Sequence, residues 1–141
     1  MGANGWSGLA EWKLKADSIA PTIVGGSKKH GGADLGPTRA KLQWEKLGVN
    51  GRGLADTAPT VDDLPSLLPK LTNRMVARIQ GFPDAWEFQG GKTSQHRQMG
   101  NAFPPPVAQA VGKAIQKALR KEAASIIHLQ QPSLFVEYAT A

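Results

Sequence analysis

Glycine is spread unevenly along this chain, and that unevenness limits the fold more than any other feature. Eleven of the 16 glycines lie in residues 1–53, and none lies between Leu54 and Gln80. A glycine inside a helix or strand costs roughly 0.5–1 kcal/mol relative to alanine, because more backbone freedom is lost on ordering. The first third is therefore expected to alternate short apolar stretches with turns. Pro59, Pro65 and Pro69 punctuate residues 54–69, alongside Asp62 and Asp63. Proline fixes φ and disfavours helix in the residue before it, so this bridge is expected to be extended. Residues 70–125 carry a more helical pattern, and 126–141 read as a tail. The length suits one domain or part of a larger protein.

Local signals fill in the elements. Ser7 can cap a short helix running to about Asp17, with Leu9 and Lys13 on one face. Residues 20–24 are a short β-prone run ended by Gly25 and Gly26. Thr38 can cap a helix over 39–47, stopped by Gly48 at the C′ position. Asn50-Gly51 signals a tight turn. Thr72 can cap 73–80, with Gly81 as the stop, and Met75, Ile79 and Phe82 are expected on its buried side. The longest helix is expected from Pro104–Pro106 to about Ala124. Val107, Val111, Ile115 and Leu119 recur every four residues, with Ala114 and Ala118 widening the stripe, as a core-facing helix requires. Lys117, Arg120 and Lys121 would sit near its negative end.

Composition excludes some chemistry. The chain has no cysteine, so disulfides, cysteine-ligated zinc and a thiolate nucleophile are excluded within it. A net charge of +6 leans toward a polyanionic partner without identifying one. No apolar run approaches the roughly 18 residues of a membrane span, and the first residues lack the pattern of a signal peptide. A soluble, cytoplasmic protein with no membrane partner is the expectation.

Three constellations carry chemistry. In residues 20–32, two glycine pairs surround Ser27, Lys28, Lys29 and His30. Glycine lets a backbone approach a surface closely, and lysines bind phosphates with salt-dependent affinity. A plain solvated basic loop has the same composition. His30 has no second ligand at metal spacing, so no metal site is expected. In residues 71–84, Arg74 and Arg78 share a helix face. They can reach phosphates, or buttress a neighbouring domain through carboxylates and carbonyls. In residues 96–106, a Gly100-Asn101 turn precedes the proline-started helix, and a helix start of this kind suits an anion such as a carboxylate.

The second and third stretches, in this order and spacing, resemble the ninth and tenth signature blocks of DNA (cytosine-5) methyltransferases. The ninth block is matched by Leu71, Thr72, Arg74, Ala77, Arg78, Gln80, Gly81, Phe82, Pro83 and Asp84. The tenth is matched by Arg97, Gln98, Gly100, Asn101, Ala102, Pro104 and Pro105. Two departures stand out. Met75 replaces the usual glutamate, removing the capping-box partner of Thr72, and Phe103 replaces the usual valine.

The resemblance implies an α+β fold. A small glycine-rich recognition region with short strands and helices (1–69, including the proline-rich bridge) would precede the two block helices (70–125) and the tail (126–141). These helices would pack on an α/β catalytic domain outside this chain. Thr22 matches a family threonine that touches the DNA backbone beside a flipped base. Ser27, Lys28, Lys29 and His30 become candidate contacts to double-stranded DNA. Asn101 and Ala102 match positions beside the cofactor, S-adenosylmethionine. Thr72, Arg74 and Arg78 become structural residues of the ninth block.

The same resemblance implies what this chain lacks. Family members use a cysteine in a Pro-Cys block, a glutamate in a Glu-Asn-Val block, and a Phe-x-Gly-x-Gly cofactor turn. None occurs here, so no catalytic residue is assigned and the chain alone is expected to transfer no methyl group. An excised piece, a truncated gene product and the small subunit of a split restriction-modification enzyme all fit. A non-catalytic DNA-binding or regulatory module derived from such an enzyme is the competing reading. In the tail, Gln131, Ser133, Leu134 and Phe135 resemble the pentapeptide by which bacterial proteins bind the replication sliding clamp, with Pro132 in place of leucine. A tail packing on its own domain is the alternative. The expected location is the bacterial cytoplasm, in association with DNA.

Overall fold

The computed structural model describes residues 4–25 and 32–130, with the backbone alone for 122–130. Five helices occur among the described residues: α1 (Leu9–Ala16), α2 (Thr38–Lys46), α3 (Asn73–Ile79), α4 (Lys92–Asn101) and α5 (Pro105–Gln130). The expected short strands are not found among them. β pairing there consists of two isolated parallel bridges, Asn4 with Thr60 and Ala55 with Thr72. Residues 22–25 keep the strand-like alternation: Thr22 and Val24 face out, while Ile23 and Gly25 are buried. Their inward face meets helices rather than a neighbouring strand. The bridge 54–69 mixes turns with extended residues, since Asp63 accepts from the backbone N–H of Thr60 at 2.8 Å and folds the chain back.

Met1–Pro105 form one compact unit, and Pro106–Ala141 a second. The core of the first unit draws on both sides of the proline bridge. Ile23, Leu35, Trp44, Val49 and Leu54 meet Leu71, Val76, Ala77, Phe82 and Met99. Residues 23–54 and 71–99 are thus stabilised by one shared apolar cluster.

Helix ends explain the boundaries. At α2, the N–H of Gly48 bonds the Glu45 carbonyl and that of Val49 bonds the Trp44 carbonyl. Gly48 sits at φ +72°, where a side chain would be strained. The same pair of bonds recurs at Gly81 and Phe82 after α3. The two N-terminal expectations differ from the structure. Ser7 does not cap α1, whose cap position is Gly8, and Thr38 lies inside α2 after Pro37; neither helix has a side-chain cap. A Cβ on Gly8 would sit 2.6 Å from the Trp6 ring, so close packing fixes that position. Trp6 donates to the Leu64 carbonyl at 2.9 Å and Trp12 to the Gly48 carbonyl at 2.8 Å, which ties α1 to the bridge and to the end of α2.

Thr72 caps α3 as expected, its Oγ1 accepting from the Met75 N–H at 3.2 Å. The return half of the capping box survives the loss of glutamate, because the Met75 sulfur accepts from the Thr72 N–H at 3.5 Å. A thioether is a weak acceptor, so the hydroxyl carries most of this cap. Thr72→Ala is expected to lower stability by about 1 kcal/mol, measured as a shift in denaturation midpoint. No shift would contradict the cap. The buried side of α3 is Val76 and Ala77, whereas Ile79 is exposed and Met75 only partly covered. A helix of seven residues turns whichever face the neighbouring α4 requires.

The α5 helix is longer than expected, 26 residues to Gln130. Lys117, Arg120 and Lys121 therefore fall mid-helix and do not oppose the dipole. Val107, Val111, Ile115 and Leu119 are 45–60% exposed, an apolar stripe facing solvent. Gln131, Leu134 and Phe135 lie outside the described residues.

Candidate functional site

The α4 helix is the centre of the site, and its sequence gave little sign of it. Its ten residues are mostly polar, the cap position is Gly91, and only His96 and Met99 are buried. It is held by amide side chains instead. Asn73 donates to the Lys92 carbonyl and the Gln95 side chain, both at 3.0 Å. Gln80 donates to the Met99 carbonyl at 3.1 Å. Gln95 donates to the Gly90 carbonyl at 2.9 Å, and Gln98 to that of Gln89 at 2.7 Å. Each bond joins α4 to the ninth block or to the turn between them.

The arginine pair acts on its own turn. Arg78 makes a two-pronged contact with the Asp84 carboxylate, both distances 2.7 Å. Arg74 donates to the Asp84 carbonyl at 2.7 Å. The Arg78 hydrogen bond holds the Asp84 carboxyl below the usual carboxylate range. These arginines fasten residues 84–86 to α3, and Phe82 stacks edge-on against Phe88 with ring centres 5.0 Å apart.

The C-terminal end of α4 meets residues 24 and 25. A Cβ on Gly100 would lie 2.6 Å from the Gly25 Cα, and one on Gly25 would lie 2.9 Å from the Asn101 Cγ. At Gly100 the near atoms are backbone, so glycine is required there by contact; at Gly25 they are chiefly the Asn101 side-chain amide, which can shift. Asn101 is exposed and Ala102 half-buried. Thr22 is exposed three residues before Gly25. One expectation is corrected: Asn101 ends α4 rather than opening α5. Helix carbonyls carry partial negative charge, and Pro105 and Pro106 at the start of α5 have no N–H to offer. Asn101 is not at the helix N-terminus that the anion-binding expectation invoked. Ser27, Lys28, Lys29 and His30 lie outside the described residues.

His96, which the sequence reading passed over, is fully buried. Its Nε2 lies 3.0 Å from the Asp34 carbonyl. A carbonyl only accepts, so Nε2 carries the proton. The ring's Nδ1 has no hydrogen-bond partner. Burial lowers the His96 pKa; the Asp34 and Val24 carbonyls and the Asp34 charge oppose this without prevailing. A depressed pKa means the folded state takes up the proton less readily than the unfolded chain. The resulting stability is present above about 6.5 and is lost as pH falls through the folded value. The denaturation midpoint should therefore drop between pH 7.5 and 5.5, and His96→Phe should shrink that drop. An unchanged wild-type midpoint would contradict this.

A family model for C-5 cytosine-specific DNA methylases matches residues 15–117, the span that includes α2 to α4 and the first half of α5. The chain belongs to this family. It is 62% identical over 123 residues to the type II methyltransferase M.NaeI of Lentzea aerocolonigenes, covering 86% of this chain and 30% of that protein. It is 46% identical over 129 residues to M.NgoMIV of Neisseria gonorrhoeae, covering 86% of this chain and 38% of that one. DNA (cytosine-5)-methyltransferase 2 of Arabidopsis thaliana matches 49 residues at 53% identity, 35% of this chain and 3% of the plant protein. No solved structure matches significantly. The chain thus spans about a third of the length of these bacterial methyltransferases. Among the described residues no three His, Asp or Glu side chains converge as metal ligands, and no helix is long and apolar enough to cross a membrane.

Proposed function

We propose that this chain is the target-recognition and cofactor-side portion of a DNA cytosine-5 methyltransferase of a bacterial restriction-modification system, working in the cytoplasm. The observation that carries the reading is the direct packing of Gly25 on Gly100 and Asn101. It supports the reading by bringing the residues just before 26–31 against the tenth-block helix. Lys28 and Lys29 would bind DNA phosphates, Ser27 and His30 would face the groove, and exposed Thr22 would meet the backbone. Asn101 and Ala102 would form one edge of the S-adenosylmethionine site. The fit is chemical: the carbonyl end of α4 and an exposed Asn101 amide suit the amino group of that cofactor. When bound, the cofactor supplies the methyl group. This chain's residues hold one end of it and position the DNA; with no cysteine, the nucleophile must come from a catalytic portion outside these 141 residues. The exposed stripe of Val107, Val111, Ile115 and Leu119 suits packing on that portion.

Duplex binding by the full chain, followed by fluorescence anisotropy between 50 and 200 mM salt, tests the DNA reading. Affinity should fall with salt, and the double variant Lys28→Ala, Lys29→Ala should reduce the logarithmic slope by about 2. An unchanged slope would remove these lysines from the interface.

A further inference from the structure

Positive charge is concentrated late in this chain. Residues 88–121 hold six lysines and arginines and no aspartate or glutamate, so this stretch alone equals the net +6 of the whole sequence. Four of the six, Lys113, Lys117, Arg120 and Lys121, lie close together on α5. All four are exposed. None forms an ion pair with another described residue.

The helix gathers these cations. Lys113, Lys117 and Lys121 are spaced by four, and Arg120 lies three beyond Lys117, so they share one face. At about 100° per residue, that face lies nearly opposite the stripe of Val107, Val111, Ile115 and Leu119. The stripe can therefore be covered while the basic face stays open. Like charges at these spacings repel one another and weaken a helix. The negative end of the helix dipole does not offset them, because α5 runs on to Gln130 and the dipole acts only within the last turn. A helix that had only to present its apolar stripe would be steadier with neutral or mixed charges here. An external polyanion relieves the repulsion.

Duplex DNA fits that description. Lys113 to Lys121 covers about 12 Å at 1.5 Å per residue. Each strand of a duplex carries one phosphate per roughly 3.4 Å of axis, so this length passes about three of them. A basic amphipathic helix also suits an anionic membrane surface, a mode that commonly draws on tryptophan or phenylalanine in the apolar face. The side chains described for α5 include neither. Membership of a DNA methylase family also favours DNA.

We propose that the basic face of α5, formed by Lys113, Lys117, Arg120 and Lys121, is a second DNA-contact surface that holds the phosphate backbone without reading sequence. This rests on the reading that the chain binds duplex DNA, but not on which residues of the recognition region do so. Its contribution is the same for any sequence, because phosphates carry no base information.

The test uses the full chain with two unrelated duplexes of equal length, and anisotropy is followed as salt rises from about 50 to 200 mM. One variant carries Lys113→Gln, Lys117→Gln, Arg120→Gln and Lys121→Gln; a second carries Lys113→Arg, Lys117→Arg and Lys121→Arg. The glutamine variant should lose about 2 or more from the logarithmic salt slope, equally on both duplexes. The arginine variant keeps every charge and should match the wild type. A smaller loss, a loss on one duplex only, or an equal loss in the arginine variant would overturn the proposal. Removing the repulsion should leave the thermal midpoint of the glutamine variant unchanged or raised; a lowered midpoint marks structural damage and would overturn it too. Equimolar phosphatidylserine–phosphatidylcholine vesicles test the membrane. Co-sedimentation that the glutamine variant loses, with its DNA slope unchanged, would put lipid in place of DNA. The Lys28→Ala, Lys29→Ala variant separates the two readings. If it lowers the slope and the glutamine variant does not, the α5 surface fails and the DNA reading stands. If only the glutamine variant lowers it, the α5 surface stands and the lysine pair leaves the interface. If neither does, both fail.

Discussion

Gly100→Val is expected to lower stability by about 3 kcal/mol, at the upper end of what overpacking costs. The side chain would be forced into the backbone of Val24 and Gly25; a Cβ alone comes within 2.6 Å of the Gly25 Cα. A flexible side chain can swing away from such a clash, but two packed backbones cannot. Residues 24 and 25 would have to lift off α4, and Ile23, 5% exposed in the core, would move with them. DNA binding should weaken together with the melting temperature. A folded Gly100→Val chain with wild-type stability would mean that Gly25 and Gly100 are not in contact.

The second large effect is expected at Leu35. Its side chain is fully buried in the cluster that joins residues 23–54 to residues 71–99. It follows Asp34 directly, so it also anchors the carbonyl that His96 grips. Leu35→Ala removes buried apolar volume and leaves a cavity, with an expected loss of about 2–5 kcal/mol. Urea denaturation of the full chain measures this. A loss under about 1 kcal/mol would mean that the cluster collapses around the gap, and that the two halves depend on each other less than their shared core implies.

Elements fixed by local chemistry were readable from the sequence. Thr72 and Gly81 bracket α3 because a hydroxyl cap and a left-handed stop act within one turn. Gly48 ends α2 for the same reason. The α4 helix escaped because it has neither a capping side chain nor an apolar stripe. Its stability comes from Asn73, Gln80 and Gln95, whose bonds join residues 5–22 positions apart. The run at 20–24 has the alternation of a strand, yet a strand also needs a partner, and its inward residues found helices. At the site, the paired blocks revealed the family, since motif spacing is a property of sequence. The joining of loop flank to helix end by Gly25, Gly100 and His96 was not legible. A glycine kept for close contact looks the same in sequence as one kept for a turn, and a buried histidine looks like an exposed one.

The absence of cysteine now bears on function rather than on disulfides alone. On the proposed reading these residues serve recognition, and the thiolate that bonds to the base belongs to sequence outside them. The central claim is tested most directly by transfer of a labelled methyl group from S-adenosylmethionine to unmethylated DNA. Three samples are compared: the 141-residue chain alone, a catalytic portion bearing the Pro-Cys and Glu-Asn-Val blocks alone, and the two together. Incorporation at cytosine carbon 5 is predicted only for the combined sample; incorporation by the 141-residue chain alone would contradict the account.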